Sequence, residues 1–246
     1  MKPFKLIFKI RSLFAILVLI VSTAIWGLAA ILFSWVSLRV GDFIIWSWCR
    51  LNLFFFNVSV ELKGQENLPK EGCLFVFNHS SHFDILAFTG VVKKRHRYGA
   101  KIELFKIPIF GPAMRATGML AIHRADRSNV LALYEKSISR VYRGESFILA
   151  GEGTRQTQPG VGENFKSGPF VFAISGQFSI VPVVIKGAYE CLPKGKLLPC
   201  VNQWHHKIQV QILPAVSTKG LSLEDRPKLR DDVRKIMVTA YQAALD

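Results

Sequence analysis

From Leu13 to Val36 the chain reads LFAILVLIVSTAIWGLAAILFSWV, without one charged side chain. These 24 positions form a helix of about 36 Å at about 1.5 Å per residue, enough for the hydrocarbon core of a bilayer. The run is also longer than the apolar stretch of an ordinary secretory leader. A second apolar stretch, FIIWSWCRLNLFFFNV, follows SLRVGD and is interrupted by Arg50. It is short for a full crossing. The two stretches predict a membrane-associated hydrophobic hairpin of helices over residues 1–56, dipping into one leaflet or crossing and returning. Trp46 and Trp48 suit the headgroup level.

Beyond residue 57 the period changes. VSVEL, CLFVF, GMLAIH, SFILAG, SIVPVVIKG and KIQVQIL have strand character. SNVLALYEKSISRVYRG places apolar residues at helical spacing and stops at Gly144. SLEDRPKLRDDVRKIMVTAYQAAL opens on a Ser-x-x-Asp signal and continues as an amphipathic helix. Strands separated by helices predict an α/β fold. We expect one domain over residues 57–246, with a largely parallel mixed sheet flanked by helices.

Composition sharpens the membrane reading. Half of the 246 residues are hydrophobic, and the mean hydropathy of +0.27 is high for a soluble domain. The net charge is +15, from 32 basic and 17 acidic residues. Residues 1–56 hold Lys2, Lys5, Lys9, Arg11, Arg39 and Arg50 against Asp42 alone, so most of the excess lies on the α/β domain. Such a surplus attracts polyanions: nucleic acid, anionic headgroups, phosphorylated cosubstrates or an acidic carrier protein. None of the usual nucleic-acid modules is visible, so no nucleic-acid partner is expected. Cys49 and Cys73 sit in apolar runs. Cys191 and Cys200, with His205 and His206 downstream, match no common zinc spacing, so no metal is expected.

Lys2, Lys5, Lys9 and Arg11 precede Leu13, which places that end in the cytoplasm by the positive-inside rule. A hairpin returns the chain to the same side. The expected location is therefore a cell inner membrane with the α/β domain on its cytoplasmic face, and Lys93, Lys94, Arg95 and Arg97 near anionic headgroups.

Candidate chemistry starts at NHSSHFD, Asn78 to Asp84, where the strand CLFVF turns into the helix FDILAFTGVV. In parallel sheets, ligand and catalytic groups gather at the carboxyl ends of strands. Five residues along a helix turn through about 500°, so His79 and Asp84 would not share a helical face. They meet if His79 stands in the loop and Asp84 in the first turn, where the carboxylate holds one imidazole nitrogen and leaves the other as a base. The competing reading makes Asn78, Ser80 or Ser81 a helix cap and the histidines incidental. There is no G-x-S-x-G elbow, so a hydroxyl activated by His79 belongs to a substrate. That chemistry suits direct acyl transfer from a thioester to an alcohol. A second segment, GEGTRQTQPGVG, follows SFILA and has the small residues of a phosphate-holding nest beside Arg155. It fits neither the P-loop nor the dinucleotide pattern. In GMLAIHR, Arg124 closes a strand.

Together these segments resemble the glycerophospholipid acyltransferases typified by lysophosphatidate acyltransferase. Asn78, His79 and Asp84 meet that family's Asn-His-x4-Asp block in full. GMLAIHR keeps Gly118, Ile122 and Arg124 of Gly-x-x-Phe-Ile-Asp-Arg, with Ala121 and His123 departing. AGEGTRQ keeps Glu152, Gly153, Thr154 and Arg155 of Phe-Pro-Glu-Gly-Thr-Arg-Ser, with Ala150, Gly151 and Gln156 departing. IVPVVI, with Pro182, stands for the hydrophobic Val-Pro-Val block. The resemblance covers roughly residues 57–215 and implies His79 as general base and Asp84 as its orienter. It implies an acceptor-phosphate region of Arg124, Glu152, Gly153, Thr154 and Arg155, helped by Lys101, with Pro182 on the acyl-donor side.

The implied reaction moves an acyl chain from acyl-carrier protein or acyl-CoA to 1-acylglycerol-3-phosphate (lysophosphatidate), giving phosphatidic acid. No cofactor is needed beyond that thioester co-substrate. A lyso-ornithine lipid or another lysophospholipid is the alternative acceptor. The alternative of another class is a membrane-anchored protein that binds an anionic ligand.

Overall fold

The computed structural model describes residues 2–243, with side chains from Leu6 onward. The apolar runs form the expected helical pair, α1 (Lys2–Phe33) and α2 (Leu38–Phe55). Ser37 caps α2 by accepting the Val40 N–H at 3.2 Å. Leu6–Phe33 is long and apolar enough to cross a membrane, and only 17% of its most apolar window is buried, so it is no core helix. The outermost aromatic of the pair is Trp35 in the connecting turn, 81% exposed. Trp48 is instead half-buried against the domain core.

After the hairpin come β1 (Val58–Lys63), β2 (Leu74–Phe77), α3 (Phe83–Val91), β3 (His96–Lys101), α4 (Phe110–Ala116), β4 (Leu120–Ile122) and α5 (Arg127–Tyr142). They are followed by β5 (Ser146–Ala150), α6 (Gly168–Ser175), β6 (Ile180–Lys186), α7 (Ala188–Cys191), β7 (His206–Ile212) and α8 (Arg226–Ala243). The last two residues of the expected tail helix, Ala244 and Leu245, lie outside the described residues.

The seven strands are ordered β1-β7-β6-β2-β5-β3-β4. Every neighbouring pair is parallel except β6 with β7. β2 through β6 therefore point the same way and share one carboxyl edge. Strand β2 shows why the sheet sits at the centre. Phe75 and Phe77 pack toward α2 and α3, while Leu74 and Val76 pack toward α5, α6 and α8. The alternation of a strand buried on both faces thus supplies two separate cores.

Strand β3 has no counterpart in the hydrophobic pattern. Its sequence HRYGAK is polar, yet Arg97 is only 2% exposed because it pairs with Asp42 of α2 at 2.6 Å and Glu145 at 3.1 Å. Glu145 also takes Arg140 at 2.6 Å. Arg97 thus faces protein carboxylates, not lipid headgroups, which corrects the expectation for that residue. A Cβ at Gly99 would lie 2.2 Å from Leu149 Cδ2, so neighbouring side chains require glycine in mid-strand.

Candidate active site

The Asn-His-x4-Asp segment lies where β2 ends and α3 begins. Asp84, in the first turn of α3, is fully buried. Its Oδ2 accepts from the backbone N–H groups of Ser80 and Ser81, each at 2.8 Å, and lies 2.8 Å from His79 Nδ1. The carboxylate therefore takes the role that a capping side chain would have, and it fixes the imidazole at the same time. With Nδ1 held, Nε2 is left as the proton acceptor. The His79 side chain is 15% exposed, open enough to meet a substrate. Asn78 is not a cap. Its Oδ1 accepts Ile185 N–H at 2.7 Å and its Nδ2 donates to Ile185 C=O at 2.9 Å, tying the end of β2 to β6.

The GEGTR segment leaves β5, level with β2, since Phe77 and Ala150 are register partners. Gly153 has φ +68°, in the left-handed region that glycine tolerates best. Glu152 is 2% exposed, and both its oxygens are occupied by backbone donors: Oε2 takes His79 N–H at 3.1 Å and Oε1 takes Gly162 N–H at 3.0 Å. Burial pushes its carboxyl up to about 7, against those hydrogen bonds and with a smaller contribution from Asp84. Gln156 N–H donates to His79 C=O at 2.8 Å. The two segments are thus one bonded unit, with Glu152 and Gln156 holding the histidine's backbone. Loop sequence alone could not reveal that arrangement.

Thr154 is exposed and Arg155 half-buried. Arg155 lies close enough to His82 that, after desolvation, its charge is the next cause holding that imidazole below its ordinary range, followed by His79. Lys101 and Arg124 are exposed on the same edge, at the ends of β3 and β4. Strand β4 is three places from β2 in the sheet, a lateral offset of about 14 Å at about 4.8 Å per strand. Lys101 pairs with Glu103 at 3.1 Å. Pro182 is buried inside β6, level with Val76. Its carbonyl accepts from Leu213 N–H at 2.9 Å, just beyond the end of β7, so its missing donor falls where the ladder is already giving out. The geometry joins His79, Asp84 and the GEGTR loop at one point, sets Lys101 and Arg124 to one side, and places Pro182 below.

Beneath this edge an apolar cavity lies between the hairpin and the domain. Its walls include Trp26 and Trp48 from the hairpin, Ile85 from α3, Tyr98 from β3, and Ala113 and Met114 from α4.

The fold and site define a class: an α/β domain with a carboxylate-held histidine at the carboxyl ends of its strands, under an apolar helical hairpin. The chain belongs to the Acyltransferase family, whose model matches residues 59–186. It is 28% identical over 167 residues to a chloroplast 1-acyl-sn-glycerol-3-phosphate acyltransferase of Brassica napus, covering 67% of this chain and 48% of that one. It is 28% identical over 191 residues to human 1-acyl-sn-glycerol-3-phosphate acyltransferase alpha, covering 77% and 66%. The chain thus spans about half the length of the plant relative. The crystal structure of the 1-acyl-sn-glycerophosphate acyltransferase of Thermotoga maritima superposes with a TM-score of 0.79 at 25% identity, covering 98% of this chain and 97% of that one.

Proposed function

We propose that this acyltransferase esterifies the free hydroxyl of 1-acylglycerol-3-phosphate, using an acyl thioester of coenzyme A or acyl-carrier protein, at the cytoplasmic face of the inner membrane. The observation that carries the reading is the His79–Asp84 contact of 2.8 Å on a half-open edge, bonded to the arginine-bearing loop. Nε2 of His79 takes the proton as the acceptor oxygen attacks the thioester carbonyl. The C–S bond then breaks, and the imidazolium returns its proton to the leaving thiolate. Asp84 stabilises the imidazolium between those steps. Arg155 offers paired, charge-assisted hydrogen bonds to the phosphate. The apolar cavity suits a fatty chain of the donor or acceptor, and the exposed outer face of the hairpin suits lipid. The relatives' names support the choice of acceptor.

The test is radiolabelled acyl transfer by the full-length protein in detergent, with either thioester and a panel of lysolipids. Phosphatidic acid should be the main product, and a folded His79→Ala variant should make none. Preference for a lyso-ornithine lipid or another lysophospholipid would replace the acceptor. Undiminished turnover by His79→Ala would overturn the mechanism.

A further inference from the structure

Behind the active-site loop lies a second group of chemically capable side chains. Cys191 ends α7, Cys200 lies in the following loop, and His206 opens β7. All three are about 1% exposed. One ligating atom from each, the two Sγ atoms and a ring nitrogen, lies within 4.8 Å of the other two. His206 Nδ1 sits 3.2 Å from the Gln203 side-chain amide, while Nε2 is buried with no nitrogen or oxygen partner among the described residues. Cys200 is also held at φ +56°, a conformation that a cysteine adopts at a cost. Its N–H donates to Cys191 C=O at 2.7 Å, which closes the loop upon the pair.

We propose that Cys191, Cys200 and His206 form a binding site for a zinc-class cation. Two thiolates and an imidazole are a known donor set for Zn²⁺, with a fourth position left for water. A divalent ion between two thiolates gives a neutral buried unit, so the burial penalty on each charge is offset. Atoms bound to one zinc ion at about 2.0–2.3 Å stand roughly 3.5–4 Å apart, so donor atoms already within 4.8 Å of one another need a closure of at most about 1 Å. The Gln203 amide nitrogen faces Nδ1 at 3.2 Å; turning that amide over lets its oxygen accept from Nδ1–H and frees Nε2 for the metal.

The same segment braces the catalytic edge. Ser81, whose N–H holds Asp84, donates its hydroxyl to Leu192 C=O at 3.0 Å, and Lys194 donates to Arg155 C=O at 2.8 Å. On the other side Arg11 of α1 donates to Cys200 C=O at 2.6 Å. The metal would fasten a loop that joins the hairpin to both halves of the active site.

The experiment uses the full-length protein, purified in detergent under reductant and exposed to Zn²⁺ or Co²⁺ before desalting. The wild type should retain close to one metal per chain by mass spectrometry, and its Co²⁺ form should show a thiolate-to-metal charge-transfer band. Zn²⁺ should raise its melting temperature. Cys191→Ser, Cys200→Ser and His206→Gln should each lose the band and the shift, while His205→Gln, at the exposed neighbour that bonds Ser59, keeps both. The wild-type Co²⁺ spectrum needs no variant to fold. A wild type without the band, or a Cys191–Cys200 disulfide in a parallel preparation made without reductant, would overturn the site.

Discussion

At Asp84 a single oxygen serves three donors, and that fact sets what its replacement does. Asp84→Asn can keep the acceptor oxygen for Ser80, Ser81 and His79 but loses the charge that stabilises an imidazolium. We expect kcat to fall by about 10²–10⁴-fold, the usual contribution of general-base catalysis, with a small change in melting temperature. Near-normal kcat would contradict the role of the dyad. Glu152 carries a prediction of its own. Its folded carboxyl titrates at about 7, above the ordinary 4.5, so folding favours its protonated form. Its contribution is fully present below about pH 4.5 and is lost as pH rises to about 7. Glu152→Gln starts from a deficit, because its amide nitrogen cannot accept the N–H of His79 or Gly162, but relative to wild type its stability should rise between those values by on the order of 3 kcal/mol, for a shift of about 2.5 units at about 1.4 kcal/mol each. Melts of both proteins across that range test this; parallel curves would refute it. The His79–Asp84 contact stood in the sequence as one of two readings of NHSSHFD, and the resemblance of the Asn-His-x4-Asp block favoured it. The inward aim of Glu152 was not legible there, because the motif does not say whether its carboxylate faces ligand or backbone.

Among the elements, β3 shows where pattern reading stops. Six strands announced themselves by β-branched or aromatic runs, but HRYGAK is held by ion pairs and by a glycine beneath Leu149. Asp42 and Glu145 are about 55 and 48 residues from Arg97 in the chain, and no local signal links them. The same holds for His206, which reaches Cys191 only because β7 lies beside β6 and α7. The pairing of Arg97 with Asp42 and Glu145 fastens α2 to β3 and the end of α5. Arg97→Ala leaves Asp42 with Arg95 and Glu145 with Arg140, so neither carboxylate is orphaned, and the protein should lose about 1.5–3 kcal/mol, the usual worth of a hydrogen bond to a charged group. Asp42→Asn, whose side chain is more exposed, should cost less. Denaturant titration in detergent measures both, and equal losses would show that Asp42 carries the network.

For the whole molecule, the question is how the hairpin meets the bilayer. Its inner face is committed to protein: Gly27 of α1 packs so closely on Ile109 that a Cβ there would lie 2.7 Å from that side chain, Leu53 of α2 approaches Gly90 of α3, and Arg11 bonds the loop before β7. Its outer face exposes Leu13, Leu17, Ile20, Ile25, Leu28 and Leu32 along α1. A hairpin standing upright across the bilayer would carry α3 and β3 into hydrocarbon with it, where the Asp42 and Arg95 charges find no water. Lying in one leaflet, it would bury only the apolar face and leave the carboxyl edge of the sheet and the domain's positive charge at the headgroups. The sequence left both arrangements open because hydropathy measures length and polarity, not which face is already occupied. The four native cysteines are buried, so a cysteine placed at Trp35 or at Lys219 is a clean reporter for an impermeant reagent. In intact cells neither position should be labelled, and in inverted vesicles Lys219→Cys should react. Labelling of Trp35→Cys alone from outside would mean that the hairpin crosses and returns, and labelling of Lys219→Cys from outside would place the catalytic domain on the wrong side for a cytosolic thioester.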